Sequence, residues 1–284
     1  MDGLFLCDKF PRVEVMGVGA ATRDVLLRVR GFAEGEGVSE VLECGEDGGG
    51  PVATALAVLG SLGRRTMLVD RMGADAEGEW VKRGLAAVGV EVPEELVAAG
   101  RCARAWIWVR AEDGARHIAF LPGDAPEIRP DEMRREWFEG LRLLHLNGRH
   151  EAAARVAVRW AREVGAVVSF DGGAGRWREG VRDLLEASQL RIVARDFAQQ
   201  CTGETAVEAM GPAMLQGEAE VVVITDGVRG SWLWSRQGEV HQEPACPAAV
   251  VDTTGCGDVY HGAFLHGWLE GWPWPECMAW AARW

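Results

Sequence analysis

From about residue 142 onward the apolar positions follow two alternating rhythms. Short, nearly continuous apolar runs (LRLLHLNG, AVVSFDGG, LRIVA, EVVVITDG) are separated by stretches such as EAAARVAVRWAREVG, RDLLEAS and the segment after RDFAQQCTG, whose apolar residues return every three or four positions. The first kind reads as buried strands and the second as helices with one apolar face. Strands that are apolar throughout and are joined by helices of this length pair in parallel, so the pattern predicts βαβ units and an α/β fold.

The first 125 residues combine two habits. VEVMGVGA and RTMLVDRMG read as buried strands, whereas DVLLRVRGF, SEVLECGEDGG and RAWIWVRAEDGARHIAFLPG alternate polar and apolar positions, as half-buried strands do. Asp113-Gly114 lies between two such runs and is a strong hairpin signal. These pieces, over about 24–48 and 101–121, predict a small antiparallel sheet projecting from the α/β body, as a lid would. No repeat, low-complexity tract or linker divides the chain, so residues 1–284 read as a single domain.

Composition narrows the partners. With 30 Lys+Arg against 43 Asp+Glu, the formal net charge of -13 repels nucleic acid and anionic membrane, so neither is expected as a partner. A small anion held by a local ring of N–H groups remains compatible with it. Seven scattered cysteines without a C-x-x-C pair fit reduced thiols in a cytoplasm. MDGLFLCDKFPR is too short and too charged for a signal peptide, and no apolar run is long enough to span a bilayer. Thirteen tryptophans against one tyrosine are assigned to packing.

The densest chemistry lies in VVDTTGCGDVYHGAFLHGWLEGW, residues 251–273. GCGD at the start of a helix leaves the N–H groups of Gly255, Cys256 and Gly257 free in its first turn, and the two glycines let a ligand come close. With the helix dipole this makes an anion hole. Asp258, held beside a bound phosphate, suits removal of a proton from an attacking hydroxyl. Taken on its own, the same aspartate is equally compatible with a helix cap. Other motifs fail: there is no G-x-x-x-x-G-K-[ST], GVGAAT lacks the third glycine of a dinucleotide fingerprint, and the six histidines show no metal-ligand spacing. Arg149, after the strand in HLNGRH, is placed to reach an anionic group of a substrate, or simply to lie solvated in a loop. Asp171, at the end of VVSFDGG, supports the site or forms a turn.

DTTGCGD followed by a helix resembles the C-terminal signature of the PfkB, or ribokinase-like, carbohydrate kinases, D-T-x-G-x-G-D. VEVMGVGAATRD is similar to that family's first strand, GGGPVATALAVLGSLG to its glycine signature, RMGADAEGEWVKRGLAAVGVEV to the segment that follows, and VVVITDGVRGSWLW to its T-x-G-x-x-G turn, in the same order. The resemblance implies a three-layer α/β/α body with a mainly parallel sheet and a β lid. It implies an ATP-dependent carbohydrate kinase using ATP and Mg2+, and a monovalent cation such as K+. Asp258 would be the general base, with the Gly255, Cys256 and Gly257 amides as the anion hole. Sugar contacts fall to Asp24, Gly49, Gly50 and Thr54, with Arg149 beside them. Nucleotide contacts fall to Thr225, Gly227, Gly230 and Thr253. A sugar or sugar phosphate is the expected partner, with a homodimer formed through the lid.

Two departures stand out. Thr54 occupies a position where the family often has asparagine. Ala194 and Phe197 occupy those of its N-x-x-E motif, which organises water around magnesium, leaving Asp196 as the nearby carboxylate for that task. The resemblance also implies a further C-terminal stretch beyond AWAARW. Nucleoside and other small-molecule kinases of the superfamily are the alternative activity, and a catalytically weakened sugar-binding regulatory protein is the alternative of another class.

Overall fold

The computed structural model describes residues 13–33 and 35–284, so the N-terminal segment MDGLFLCDKFPR lies outside the described residues. In chain order the strands are β1 (Val15–Val18), β2 (Thr22–Val29), β3 (Val41–Gly49), β4 (Thr66–Val69), β5 (Met72–Gly73), β6 (Val90–Glu91), β7 (Val97–Ala98) and β8 (Arg104–Arg110). There follow β9 (Arg116–Leu121), β10 (Leu143–Leu146), β11 (Val167–Gly172), β12 (Leu190–Ala194), β13 (Val221–Thr225), β14 (Ser231–Ser235) and β15 (Val240–Glu243). The helices are α1 (Pro51–Ser61), α2 (Ala76–Ala87), α3 (Glu151–Glu163), α4 (Arg182–Glu186), α5 (Arg195–Thr202), α6 (Val207–Met214), α7 (Cys256–Glu270) and α8 (Trp274–Ala281).

The main sheet runs β15-β14-β13-β12-β11-β10-β1-β4-β6. From β13 to β6 every neighbouring pair is parallel, and β14 and β15 extend the sheet as antiparallel edge strands. The continuous apolar runs that predict strands are those buried on both faces: β10 and β1 are buried at every position. One face of the sheet packs against α3 to α6 through residues such as Ala154, Leu184, Phe197 and Met210. The other packs against α1, α2, α7 and α8 through Leu56, Val81, Phe264 and Met278. This is a three-layer body with two cores.

The lid has strand order β3-β2-β8-β9. The sequence predicts an antiparallel sheet. Its two outer pairs are antiparallel, but the central pair, β2 with β8, is parallel, because the chain crosses α1, β4 and α2 before returning to the lid. Asp113-Gly114 makes the expected β8–β9 turn, Gly114 with φ 69° and Asp113 clamped by Arg110 at 2.6 Å. Among the described residues no helix is long and apolar enough to cross a membrane, and the six described cysteines are free.

Candidate active site

The N-termini of α1 and α7 are brought side by side by close packing, since a Cβ on Gly262 of α7 would press against Ala55 O and Val58 of α1. Each helix begins at a glycine in the left-handed region, Gly50 with φ 96° and Gly255 with φ 74°. At Gly50 no side chain fits in any case, because a Cβ would collide with Ala20 O. Both helix starts open onto one cavity of about 1060 Å³ between the carboxyl ends of the parallel strands and the lid. Ligands of open α/β sheets bind in that crevice.

Asp24, Gly50, Arg149, Thr225, Gly255, Gly257 and Asp258 all line this cavity. In the first turn of α7 the amides of Gly255, Gly257 and Asp258 donate to no backbone acceptor among the described residues, whereas Cys256 N makes a long bond of 3.5 Å to Thr253 O. The sequence assigns the anion hole to residues 255 to 257; the free amides are at 255, 257 and 258. No hydrogen bond reaches the Asp258 carboxylate among the described residues. Burial, and then the nearby Asp171 carboxylate, push its pKa up to about 7, with Arg176 and Arg116 pulling the other way. Asp171, at the end of β11, is itself raised to about 6 by burial. The two acids face one cavity and titrate as a pair.

Across the cavity, Asp24 is 8% exposed and accepts a bond of 2.5 Å from Thr22 Oγ1. Burial raises its pKa, and the Thr22 bond opposes the shift. Gly49 does not line the cavity: a Cβ there would strike the Asp24 carboxylate, so its bare Cα makes room for that side chain and not for the ligand. Thr54 sits one turn into α1, its N–H donating to Gly50 O and its methyl 3.9 Å from where a Cβ of Gly255 would be, behind the cavity wall. Thr253 ties the lid to the loop that leads into α7, donating to Gly114 O at 3.1 Å and accepting from Arg116 at 2.6 Å. Gly227 and Gly230 shape the turn between β13 and β14 and lie off the cavity lining.

The metal assignment places worst. Ala194 lines the cavity without a donor group, and Phe197 is 1% exposed, packed against Phe170 and Trp177. Asp196 is exposed and off the lining; its carboxylate accepts from Gly175 N at 2.6 Å and from Gln200 at 3.0 Å. These three positions do not fit a magnesium ion.

The structure also brings in residues the motifs do not reveal. Arg116 from β9, Arg176 after β11, Asn147, Thr254 and His261 line the same cavity. Among the described residues Arg116, Arg149 and Arg176 pair with no carboxylate, whereas Arg155 and Arg178 on the same wall are bound to Glu151, and Arg155 also to Asp183. His150 is structural: Ile128 N donates to its Nδ1, so its Nε2–H donates to Asp70, which also accepts from Ala21 N.

Known proteins resemble this chain in sequence and in fold. An ATP-dependent ribose-1-phosphate kinase from Halopiger xanaduensis is 28% identical over 260 residues, covering 90% of this chain and 85% of the relative. The crystal structure of adenosine kinase from Sinorhizobium meliloti superposes with a TM-score of 0.81 at 21% identity, over 96% of this chain and 92% of the other. An E. coli protein provisionally assigned as a ribokinase II, solved with ATP and Mg2+, superposes with a TM-score of 0.81 at 17% identity over 95% and 90% of the two chains. The family described as pfkB family carbohydrate kinase matches residues 13–283, and the chain belongs to it.

Proposed function

We propose that this kinase transfers the γ-phosphoryl group of ATP to a hydroxyl of a carbohydrate-like acceptor, with Asp258 as general base. One observation carries the reading: an unpartnered carboxylate, raised to about 7, stands in the first turn of α7 beside free amides. It shares one cavity with Asp24, a buried aspartate suited to gripping hydroxyls. Asp24, already desolvated, accepts hydrogen bonds from the acceptor. Asp258 takes the proton as the hydroxyl oxygen attacks the γ-phosphorus; the bond to the bridging oxygen breaks and ADP leaves. The amides of Gly255, Gly257 and Asp258 stabilise charge on the transferring group. The nucleotide lies along Thr225 and the start of α7. Mg2+ enters on the phosphates of ATP, and no step is assigned to protein groups at Ala194, Asp196 and Phe197.

Arg116, Arg149 and Arg176 favour a second, narrower reading, in which the acceptor already carries a phosphate. Three cavity arginines without a carboxylate partner form a receptor for an anion, and the Nε of Arg149 is buried with no hydrogen-bond partner. The name of the Halopiger relative points the same way. ADP release measured with sugars, sugar phosphates and nucleosides tests both readings. Turnover with none of them would defeat the first, and preference for uncharged acceptors would defeat the second. The exposed edge strand β3, open at every position but its last, supports pairing of two lids in a homodimer.

A further inference from the structure

His145 on β10, Asp171 on β11 and His261 on α7 converge at the floor of the cavity, one donor atom from each lying within 4.8 Å of the others. Their exposures are 0%, 2% and 3%. Nδ1 of His261 and Nε2 of His145 are buried with no hydrogen-bond partner, and the buried Asp171 carboxylate has only the poorly aligned Gly173 N–H beside it. His261 Nδ1 stands 3.6 Å from Asp171 Oδ1, an ion-pair distance too long for a hydrogen bond. Buried polar atoms are almost always satisfied, and two unpartnered imidazole nitrogens gathered beside a buried carboxylate call for a shared partner.

The chemistry of the cluster says which partner. His145 Nδ1 lies 3.2 Å from Ser169 Oγ, and with Nδ1–H donating to that hydroxyl the ring is fixed and the Nε2 lone pair is free to ligate, the arrangement of a metal-bound histidine. The two imidazole rings meet edge to face with centroids 5.9 Å apart. Neutral imidazole with a carboxylate is the ligating form of such a set. Three points at most 4.8 Å apart can share a centre about 2.8 Å from each, and small side-chain rotations shorten that to the roughly 2.0–2.2 Å of metal bonds. Asp171 and His261 line the cavity, so one side of the centre is open to water or a ligand oxygen.

We propose that His145, Asp171 and His261 bind one divalent transition-metal ion, of the Zn2+, Co2+ or Mn2+ class, at the cavity floor. Two nitrogens and a carboxylate suit these ions better than Mg2+, which asks for oxygen ligands. The ion sits one helical turn from Asp258, since His261 follows it by three residues on α7, and is separate from the magnesium carried by ATP. The proposal rests on the cluster alone and stands whichever acceptor the kinase uses.

Chelator-stripped protein titrated with Co2+ in excess Mg2+ tests it. One Co2+ per chain is expected, with visible absorption of a four- or five-coordinate nitrogen and oxygen site and without a thiolate charge-transfer band, and Zn2+ should displace it. Zn2+ should raise the melting temperature of the wild type by mass action. His145→Gln and His261→Asn, checked as folded by circular dichroism, should each weaken Co2+ binding by about 10-fold or more. Absence of stoichiometric Co2+ in the wild type overturns the proposal without any variant. Undiminished affinity in folded His145→Gln, or a thiolate band, overturns it as well.

Discussion

Replacing Asp258 by asparagine is expected to make the folded protein more stable at neutral pH. Asp258 is held at about 7 against an ordinary value of 3.8, first by burial and then by Asp171. An acid whose folded pKa is raised binds its proton more tightly when folded, so stability falls as pH rises from about 4 to about 7 and is level beyond. A shift of this size corresponds to roughly 4 kcal/mol at about 1.4 kcal/mol per pH unit. The carboxylate still touches the cavity, where solvent screens it, which brings the figure to about 2–4 kcal/mol. In a chain this long each kcal/mol moves Tm by roughly 2 °C, so Asp258→Asn should gain about 4–8 °C at pH 8. Thermal and denaturant unfolding of both proteins, stripped of metal by a chelator so that no cation offsets the Asp171 charge, from pH 4 to 8 is the assay. The difference between them should grow from near zero at pH 4, because asparagine and the protonated acid are close in shape and charge. A variant less stable than wild type at pH 8, or a difference independent of pH, would refute the argument that the site holds Asp258 against its solvation.

The same pKa governs rate. With Asp258 required as the base, kcat should rise with pH to a plateau above about 7 and fall about 10-fold per unit below it, and a flat profile down to pH 5 excludes that base. Gly49→Ala should displace the Asp24 carboxylate, raising the acceptor KM far more than the ATP KM; equal effects on both would place Gly49 elsewhere in the mechanism. Arg149→Met should raise KM for a phosphorylated acceptor by about 10-fold or more while leaving the melting temperature within a degree or two, because a charge-assisted hydrogen bond contributes roughly 1.5–3 kcal/mol. A saturating acceptor should protect residues 101–121 from hydrogen exchange as the lid closes over it, and unchanged exchange in β8 and β9 removes the lid role.

What the sequence disclosed followed the range of each signal. The parallel body was legible because β1 and β10 to β13 are apolar at most positions, and the hairpin at Asp113-Gly114 because a turn is written in adjacent residues. Asp258 was legible because its partners are neighbours in the chain. The parallel pairing of β2 with β8 was not, since local alternation sets which face is buried and not which strand lies beside it. Gly49 was legible as a place of close approach, but what approaches it is Asp24, a contact that only the register of β2 on β3 creates. Likewise His145, Asp171 and His261 have no spacing that marks a metal, because β10 and β11 become neighbours through the sheet order and α7 returns from the end of the chain. Nothing local in the sequence marks Arg116 and Arg176, which only the lid and the loop after β11 bring to one cavity.

The central claim is that Asp258 removes the proton from the acceptor hydroxyl, and the most direct measurement is the turnover of Asp258→Asn with the acceptor that wild type phosphorylates best, followed by ADP release. The expected result is a fall in kcat of about 10²–10⁴-fold with the acceptor KM changed by no more than about three-fold, because the amide keeps the shape of the site but cannot take the proton. A variant that keeps more than half of the wild-type kcat would contradict it.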